Sequence, residues 1–363
     1  MKFFPRIILL KDSHRAHKTH KKTIRRRNRT TAEKRLKWHE KRIVPPKIFS
    51  FSENYSETVS CLKELKRSAL RPQKDKIRTF LDFEPIKHIS VAGALVLAAE
   101  IDRWRRIKRT NLRLRNTDRW NPSVKRILCD LGFFGLLNVN VSFEVPEEGR
   151  NDHITVIPFI SSSSVQGELF GEIRNYMHKI AEVFSQDPSI YGALTEAAYN
   201  SVLHAYPKGH KFEYPIAGKR WWATCSYNPK DDAVKFLVYD QGVGIPETLP
   251  RWKHWEKVRE KIQAVPLVGP AISQALNDHS RIIEAAIDVS RTSMSGGHGK
   301  GLKDVVTPVD LITGAKVRLL SANGSVLYSD GKCIERRDEM LHIGGTLIEW
   351  TIPAGKALEE VES

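Results

Sequence analysis

Apolar residues in the first half of the chain recur at two spacings, one typical of helices and one of short strands. Val59, Leu62 and Leu65 lie at helical intervals and predict a helix over Ser52–Ser68. The segments that follow alternate between strand and helix: Thr79–Phe83, Val91–Ile107, Asn111–Arg115 and Ser123–Leu137. Alternation at these lengths predicts a small α/β domain over residues 46–145.

A second α/β pattern follows the Pro/Glu/Gly-rich stretch Pro146–Asp152, which predicts a linker. Its predicted elements are a strand at Ile154–Ile160, helices at Glu168–Phe184 and Ser189–His204, a hairpin of Trp221–Tyr227 and Ala233–Tyr239, a mostly helical insertion from Arg251 to Ser293, and strands at Lys316–Leu320, Ser325–Tyr328 and Gly345–Ile352. The predicted fold class is therefore mixed α/β (α+β), with a larger domain over residues 150–355 and a tail over 356–363.

Charge is distributed unevenly along the chain. Its 363 residues include 59 Lys and Arg against 42 Asp and Glu, for a formal net charge of +17. Residues 11–45 hold 14 basic and 3 acidic residues, and residues 102–119 hold 8 and 2, so these two runs account for the whole surplus. Residues 1–45 also lack apolar periodicity, which predicts a flexible or partly helical basic arm.

Basic runs of this kind bind phosphate polyanions through counterion release. Trp38, Trp104 and Trp120 lie among the charges, where indole rings can stack on bases. Nucleic acid is therefore one predicted partner of residues 11–45 and 102–119. The alternatives are a solubilising tail with a cation-rich helix face, an anionic membrane, or an acidic protein.

Two further features bear on the compartment. The sequence has no run approaching the ~18 consecutive apolar residues of a membrane span. Its four cysteines are scattered, with no C-x-x-C pair, which suits a reducing cytoplasm. We therefore expect a cytoplasmic protein without a membrane span.

Four short segments of the larger domain carry candidate chemistry. In the first, Glu196, Asn200 and His204 lie four residues apart on a predicted helix and share one face. A carboxylate and a carboxamide one turn apart can activate a water and coordinate Mg²⁺, which prefers oxygen ligands. The alternative is a solvated polar stripe.

The other three segments bring glycines close to polar groups. Asp240-Gln-Gly242-Val-Gly244-Ile245 follows a predicted strand and suits recognition of an amino group on a planar base, or a simple strand-ending turn. The glycine-rich stretch from Ser295 to Val305 predicts a loop leading into a helix, where backbone N–H groups cradle phosphates, or else a flexible linker. In Gly344-Gly345-Thr346, the hydroxyl can hold the Asp240 side chain or a water.

In this order and spacing the segments resemble the N-box, the D-x-G-x-G box, the glycine-rich lid and the terminal G-G-T of the gyrase, chaperone, histidine-kinase and MutL (GHKL) ATPase superfamily. The resemblance covers roughly residues 150–355, and the N-box with its trailing His-Ala-Tyr is most similar to anti-sigma-factor serine kinases. It implies an α/β sandwich with a mixed sheet backed by helices, and ATP held with Mg²⁺ between helices and lid. The long stretch between the second and third segments predicts extra helices in this lid, such as Arg281–Val289.

The resemblance also implies a role for each matched residue. Glu196 would polarise the attacking group, Asn200 would ligate Mg²⁺, and Asp240 would accept a hydrogen bond from the adenine amino group, supported by Thr346. The remaining matched positions would contact the nucleotide: His204, Gly242, Gly244, Ile245, Gly297, His298, Gly299, Lys300, Gly301 and Leu302.

Residues 46–145 resemble a STAS domain, the fold of anti-sigma-factor antagonists, through Leu81-Asp-Phe83, Ser90–Leu95 and Leu131-Gly-Phe133. In that family a phosphorylated serine directly precedes the glycine that opens the helix. Here that position is Ala92, with Ser90 out of register. The resemblance therefore implies docking onto the ATPase domain or another protein rather than a phosphorylation switch.

These observations predict a Mg²⁺-dependent ATP-binding protein that hydrolyses ATP or transfers its γ-phosphoryl group to a protein. The alternative is an ATP-gated interaction module without significant turnover, with a protein partner and with nucleic-acid contact through the basic arm. No phospho-acceptor residue is evident in the sequence.

Overall fold

The computed structural model describes residues 39–71, 77–107, 113–139, 153–165, 167–180, 188–264, 276–293 and 301–355. The first part of the chain forms a small domain around parallel strands joined through helices, as parallel pairing requires. Strands β1 (His39–Ile43), β3 (Ile77–Asp82) and β5 (Arg113–Arg115) pair in the order β1-β3-β5, and β2 (Ile48–Phe49) pairs with β4 (His88–Ile89). The helices of this domain are α1 (Tyr55–Leu70), α2 (Val91–Ile107), α3 (Pro122–Asp130) and α4 (Phe133–Leu136).

The second part forms a large sheet with the strand order β12-β11-β10-β13-β9-β8-β6, in which β7 also pairs with β8. Its strands are β6 (Thr155–Val156), β7 (Ile160–Ser162), β8 (Trp221–Asn228), β9 (Ala233–Asp240), β10 (Lys316–Ser321), β11 (Gly324–Ser329), β12 (Lys332–Asp338) and β13 (Thr346–Pro353). Each pairing in this sheet is antiparallel, whereas the resemblance implies a mixed sheet. Short hairpins join β8 to β9, β10 to β11 and β11 to β12, and a hairpin makes its two strands antiparallel.

The helices of this second part are α5 (Gly171–Ile180), α6 (Pro188–Leu203), α7 (Ile245–Thr248), α8 (Trp255–Gln263), α9 (His279–Ser293) and α10 (Leu302–Leu311). Alternation along β9 shows how they are arranged around the sheet. Leu237 and Tyr239 pack into the core of the small domain, whereas Phe236 and Val238 pack into a second core under the helices. The large sheet is therefore covered on both faces, which explains why its central strands β8 and β9 are almost continuously buried.

The strongest sequence patterns give the elements they predict. The helix expected at Val91–Ile107 is α2, and the expected hairpin is formed by β8 and β9. The helix expected at Ser189–His204 is α6, which begins and ends one residue earlier. A mixed architecture of helices and sheets is thus confirmed.

Several predicted elements are divided in the structure. Gly132, with φ of 86°, separates α3 from α4, so the helix expected over Ser123–Leu137 is interrupted. The single strand expected at Ile154–Ile160 is replaced by the short strands β6 and β7. The helix expected at Glu168–Phe184 begins as a 3₁₀ turn over Gly167–Phe170 and continues as α5, and residues 181–187 lie outside the described part.

The two basic runs differ from the prediction at specific residues. Strand β1 lies inside the arm predicted over residues 1–45, and residues 1–38 lie outside the described part. Trp104 and Trp120 are buried at 2% and 3% exposure, and their indole N–H groups donate to Glu100 Oε1 (2.7 Å) and to the Arg115 carbonyl (2.9 Å). The suggestion that these two indoles stack on bases is therefore wrong.

The arginines of the second run are largely engaged within the protein. Arg103 pairs with Glu100, Arg106 pairs with Asp102, and Arg115 pairs with Glu40. Among the described helices, none combines the length and the apolar content that a membrane span needs.

Candidate functional site

A cavity of about 410 Å³ lies among helix α6, the ends of β9 and β13, and helices α7, α9 and α10. Its wall brings together most of the predicted site residues: Glu196, Asn200, His204, Asp240, Gly244, Ile245, Gly301, Leu302 and Thr346. Gly242 contacts Asp240 but is not part of the wall. The predicted lid positions Gly297, His298, Gly299 and Lys300 lie outside the described residues.

Helix α6 presents one polar face to the cavity. Glu196 and Asn200 are half-buried on this face, and His204 follows the last turn, where its N–H still donates to the Asn200 carbonyl (2.9 Å). The opposite face is anchored in the core by Ala193, Leu194, Ala197 and Ala198. The polar side chains of α6 therefore line one side of the cavity, while its apolar side chains pack into the core.

Glu196 connects α6 to the first turn of α10. Its Oε1 accepts a hydrogen bond from the Gly301 backbone N–H (3.1 Å), and its carboxylate also accepts one from the Asn200 side chain. Burial, and then the negative charge of Asp304, raise the pKa of Glu196, while these two hydrogen bonds oppose the shift. A carboxylate with a raised pKa is a better proton acceptor near neutral pH.

Asp240 ends β9 and is 5% exposed. One carboxylate oxygen accepts from the Gly242 backbone N–H (2.8 Å) and the other from the Ser201 hydroxyl (3.1 Å), and the Thr346 backbone N–H also donates to the carboxylate. Burial raises the pKa of Asp240 to about 6, and the three hydrogen bonds limit the shift. A buried acceptor at the end of a strand is suited to bind an amino group of a ligand.

Thr346 supports Asp240 in a different way from the prediction. Its register partner across the sheet is Asp240, but its hydroxyl pairs with Ser321 Oγ (2.8 Å) rather than with the carboxylate. The support comes from its backbone N–H, and Ser201 on α6 supplies the hydroxyl that the prediction assigned to Thr346. Ser321 Oγ also accepts from the Ile245 N–H (2.7 Å), which fixes the start of α7.

Two glycines permit close backbone approach beside Asp240. A Cβ atom at Gly242 would overlap the Ala205 carbonyl oxygen, which accepts from the Val243 N–H (2.9 Å). A Cβ atom at Gly345 would overlap the Asp240 carbonyl oxygen, and Gly345 has a φ of 143° that other residues rarely adopt. Gly242 and Gly345 thus permit the close backbone packing around Asp240.

The sequence does not predict the outer wall of the cavity. This wall is formed by α7, the turn after it and one face of α9, through the residues Thr248, Leu249, Arg251, Trp252, Lys253 and Ser290. Arg251 and Lys253 are exposed cations, and Trp252 is half-buried between them. The feature of the sequence that could have indicated this wall is a tryptophan flanked by two cations, soon after the D-x-G-x-G box.

His204 lies at the rim of the cavity. Burial, and then the positive charge of Lys219, lower the pKa of His204, so its imidazole is neutral at neutral pH. Among the described residues, no group of three or more His, Cys, Asp or Glu side chains is arranged to hold a metal ion. A divalent ion at this site would therefore need ligands from a bound molecule.

Comparison with family models, with curated proteins and with solved structures returns no match. The chemistry of the cavity wall is therefore the guide to function. That wall combines a buried carboxylate acceptor, a carboxylate–carboxamide pair, a backbone N–H at a helix start and rim cations. Such a set can bind a planar amino-bearing base together with an anionic group.

Proposed function

We propose that the protein binds ATP with Mg²⁺ in this cavity and either hydrolyses it or transfers its γ-phosphoryl group to a protein. The observation that carries the proposal is the convergence, in one cavity wall, of Asp240 with the Glu196–Asn200 pair and the Gly301 backbone. The cavity volume of about 410 Å³ falls in the range of small-molecule sites.

Asp240 is the proposed recognition group for the base. Three different segments donate hydrogen bonds to its carboxylate and fix its orientation. The lone pairs that can accept a further hydrogen bond therefore point in a defined direction. The adenine amino group is a donor that matches it. Apolar residues of the wall, including Val238, Leu249 and Ile348, provide surfaces for the planar ring.

The phosphates are proposed to lie between α6 and the first turn of α10. The Gly301 N–H and the positive end of the ten-residue helix α10 favour an anion there. Asn200 offers a carboxamide oxygen, and Mg²⁺ is held in many nucleotide sites by few protein ligands together with phosphates and waters. The ion would supply charge neutralisation of the triphosphate, while Arg251 and Lys253 add positive charge at the rim.

Glu196 is the proposed general base. Its raised pKa and its place beside Asn200 suit it to accept a proton from an attacking water or hydroxyl group. Incubation of the full chain with Mg²⁺ and ATP labelled at the γ-phosphate tests this role, with free phosphate and phosphoprotein followed together. Glu196→Ala should retain ATP binding but lose turnover, whereas the matched control Glu247→Ala, an exposed residue of α7, should turn over normally. Equal turnover by Glu196→Ala would remove Glu196 from the mechanism.

A second candidate function is an ATP-gated interaction module. The hydrogen bond between Gly301 N–H and Glu196 favours it, because a bound phosphate would compete for the same N–H and repel the same carboxylate. Nucleotide binding would then change the contact between α6 and α10. Hydrogen exchange of the amides at residues 301–305 should differ with and without ATP, and identical exchange would count against gating.

A further inference from the structure

A buried ion cluster lies behind the proposed nucleotide site, on the face of the large sheet that carries the small domain. We define this cluster as Lys66 on α1, Glu100 and Arg103 on α2, and Gln241 of the loop after β9. Their exposures are 6%, 0%, 3% and 4%. Charged side chains this deeply buried are rare and are costly to remove from water.

Glu100 is the centre of the cluster. Its Oε1 accepts from the Trp104 indole N–H (2.7 Å) and from Arg103. Its Oε2 lies 3.8 Å from Lys66 Nζ and accepts from Gln241 Nε2 (3.4 Å). A carboxylate of the small domain therefore contacts the residue that directly follows Asp240.

Asp240 and Gln241 make contacts on opposite sides of the sheet. The Asp240 carboxylate is part of the cavity wall, whereas the Gln241 amide reaches the small domain. The backbone of Gln241 is held as well, because its N–H donates to the Tyr206 hydroxyl (2.9 Å), which in turn donates to the Arg220 carbonyl. Gln241 is thus held at both its main chain and its side chain.

Lys66 contacts the other segment that supports the site. A Cβ atom at Gly344 would lie 2.7 Å from Lys66 Nζ, so the ammonium group packs directly against the loop before Thr346. The Gly344 carbonyl accepts from the Tyr239 hydroxyl (3.1 Å). One cluster therefore supports, from behind, both segments that define the surroundings of Asp240.

Stability alone gives no reason for this arrangement. Replacing a buried ion network by apolar residues of similar volume is often neutral or stabilising, whereas such networks can fix one geometry among several. We propose that Glu100, acting through Gln241, and Lys66, acting through Gly344, are positioning residues that set the geometry of the nucleotide-binding loop. This inference rests on the proposed ATP site.

The test compares three variants of the full chain by calorimetric titration with Mg²⁺ and ATP and by denaturant unfolding. Gln241→Met and Lys66→Met retain the side-chain length but remove the polar contact, and Glu100 keeps Arg103 and Trp104 as partners. Each should weaken ATP binding about tenfold, the size of one hydrogen bond to a charged group, and should also lower stability, because the buried Glu100 carboxylate loses a partner. Trp222→Phe is the matched control, because it removes a buried bond to Asp102 (3.0 Å) in the same interface and no hydrogen bond to Gln241 or Gly344. It should lower stability and leave ATP affinity unchanged.

Unchanged ATP affinity in Gln241→Met and Lys66→Met would overturn the inference. It would also be overturned if all three variants, Trp222→Phe included, lost ATP affinity in proportion to their loss of stability. If the unaltered protein binds no ATP, the proposed function fails, and positioning is then read from hydrogen exchange of the Gly242 and Val243 amides. Faster exchange in Gln241→Met but not in Trp222→Phe would support positioning. Equal exchange in all three proteins would refute it.

Discussion

Replacing Asp240 by Asn tests both the electrostatics of the site and its function. The carboxyl has a pKa of about 6 in the folded protein because it is buried, against an ordinary value of 3.8. A difference of roughly two units corresponds to about 3 kcal/mol, the cost of carrying the ionised form at neutral pH. An Asn side chain of the same shape carries no such cost.

The substitution must serve the three donors that face the carboxylate. An Asn oxygen has two lone pairs, for the Gly242 N–H and the Thr346 N–H. The Asn amide would donate to the Ser201 oxygen, and the Ser201 proton, which lies within reach of both the carboxylate and the Ala197 carbonyl (2.9 Å), would then bond the Ala197 carbonyl alone. We therefore expect Asp240→Asn to be more stable than the unaltered protein by about 2–3 kcal/mol at pH 8.

The sign of the pH dependence follows from the direction of the shift. Because the folded pKa lies above the unfolded value, the favourable contribution of the neutral carboxyl is complete below about pH 4 and is lost as pH rises through about 6. Urea unfolding of both proteins at several values from pH 4 to pH 8 should show a stability difference that grows between pH 4 and 6 and is constant above pH 7. Parallel curves would refute the titration of Asp240 in this range.

The same variant should lose ATP binding by at least about a hundredfold, because an amide donor then faces the adenine amino group. Higher stability combined with lost affinity is the expected signature of a residue retained for binding rather than for folding. Unchanged ATP affinity would refute the assignment of Asp240 as the base-recognition group.

Other perturbations test the loop, the pH response and the basic arm. Gly242→Ala should lower both stability, by roughly 1–3 kcal/mol, and ATP affinity, because its Cβ atom would overlap the Ala205 carbonyl; denaturation and titration measure the two effects. The pKa of Asp338 is raised to about 6 by burial and then by Asp278, so Asp338→Asn should reduce the loss of stability that accompanies a rise in pH from about 4 to 6. Deleting residues 1–38 should weaken any nucleic-acid binding and flatten its salt dependence, and equal salt slopes would exclude the arm from binding.

The elements that the sequence predicts well are those buried on both sides. The strands β8 and β9 are mostly apolar, and their hairpin carries a turn of Asn, Pro, Lys and Asp residues, so residue pattern and turn chemistry agree. Helix α2 is predicted at both of its ends. In each case burial by neighbouring layers leaves a strong local pattern.

Two of the elements that the sequence does not predict, β1 and β12, are edge strands. In β12 (KCIERRD) most positions are exposed, and in β1 (HEKRI) Ile43 is the buried residue. Charged side chains on an edge strand discourage pairing with other chains, and the same charges remove the apolar alternation that would reveal the strand. Polar runs of this kind are therefore indistinguishable from loops until their partner strands are known.

The environment of the basic run at 102–119 also depends on partners distant in the sequence. Arg115 pairs with Glu40 and lies over the Phe80 ring (3.8 Å to its centroid), and neither contact is visible in the local pattern. Locally, Trp104 and its arginine neighbours have the composition of a nucleic-acid surface. In the structure Trp104 is instead buried against Glu100, and Asp102 of the same run accepts from the Trp222 indole of the large sheet.

The sequence predicts the functional side chains of the candidate site but not the residues that hold them in place. Glu196, Asn200 and Asp240 could be assigned roles because spacing and residue type carry their chemistry. The residues that hold them, such as Ser201 and Gln241, gave no signal, since a serine or glutamine beside a matched position is unremarkable in sequence. Their function follows from which side of a strand or helix they occupy.

The alternation of side chains along a strand connects these findings. Because successive residues face opposite sides, the end of β9 directs Asp240 to the cavity and Gln241 to the small domain. The residue proposed to bind ligand from one face and the residue that receives support from the other are thus one peptide bond apart. This adjacency gives a physical reason for the deep burial of Glu100 in a helix that also carries arginines, since its partner Gln241 belongs to the loop beside the cavity. The small domain therefore helps to form the site. We expect a perturbation of α2 to alter the surroundings of Asp240 before it alters any other part of the cavity.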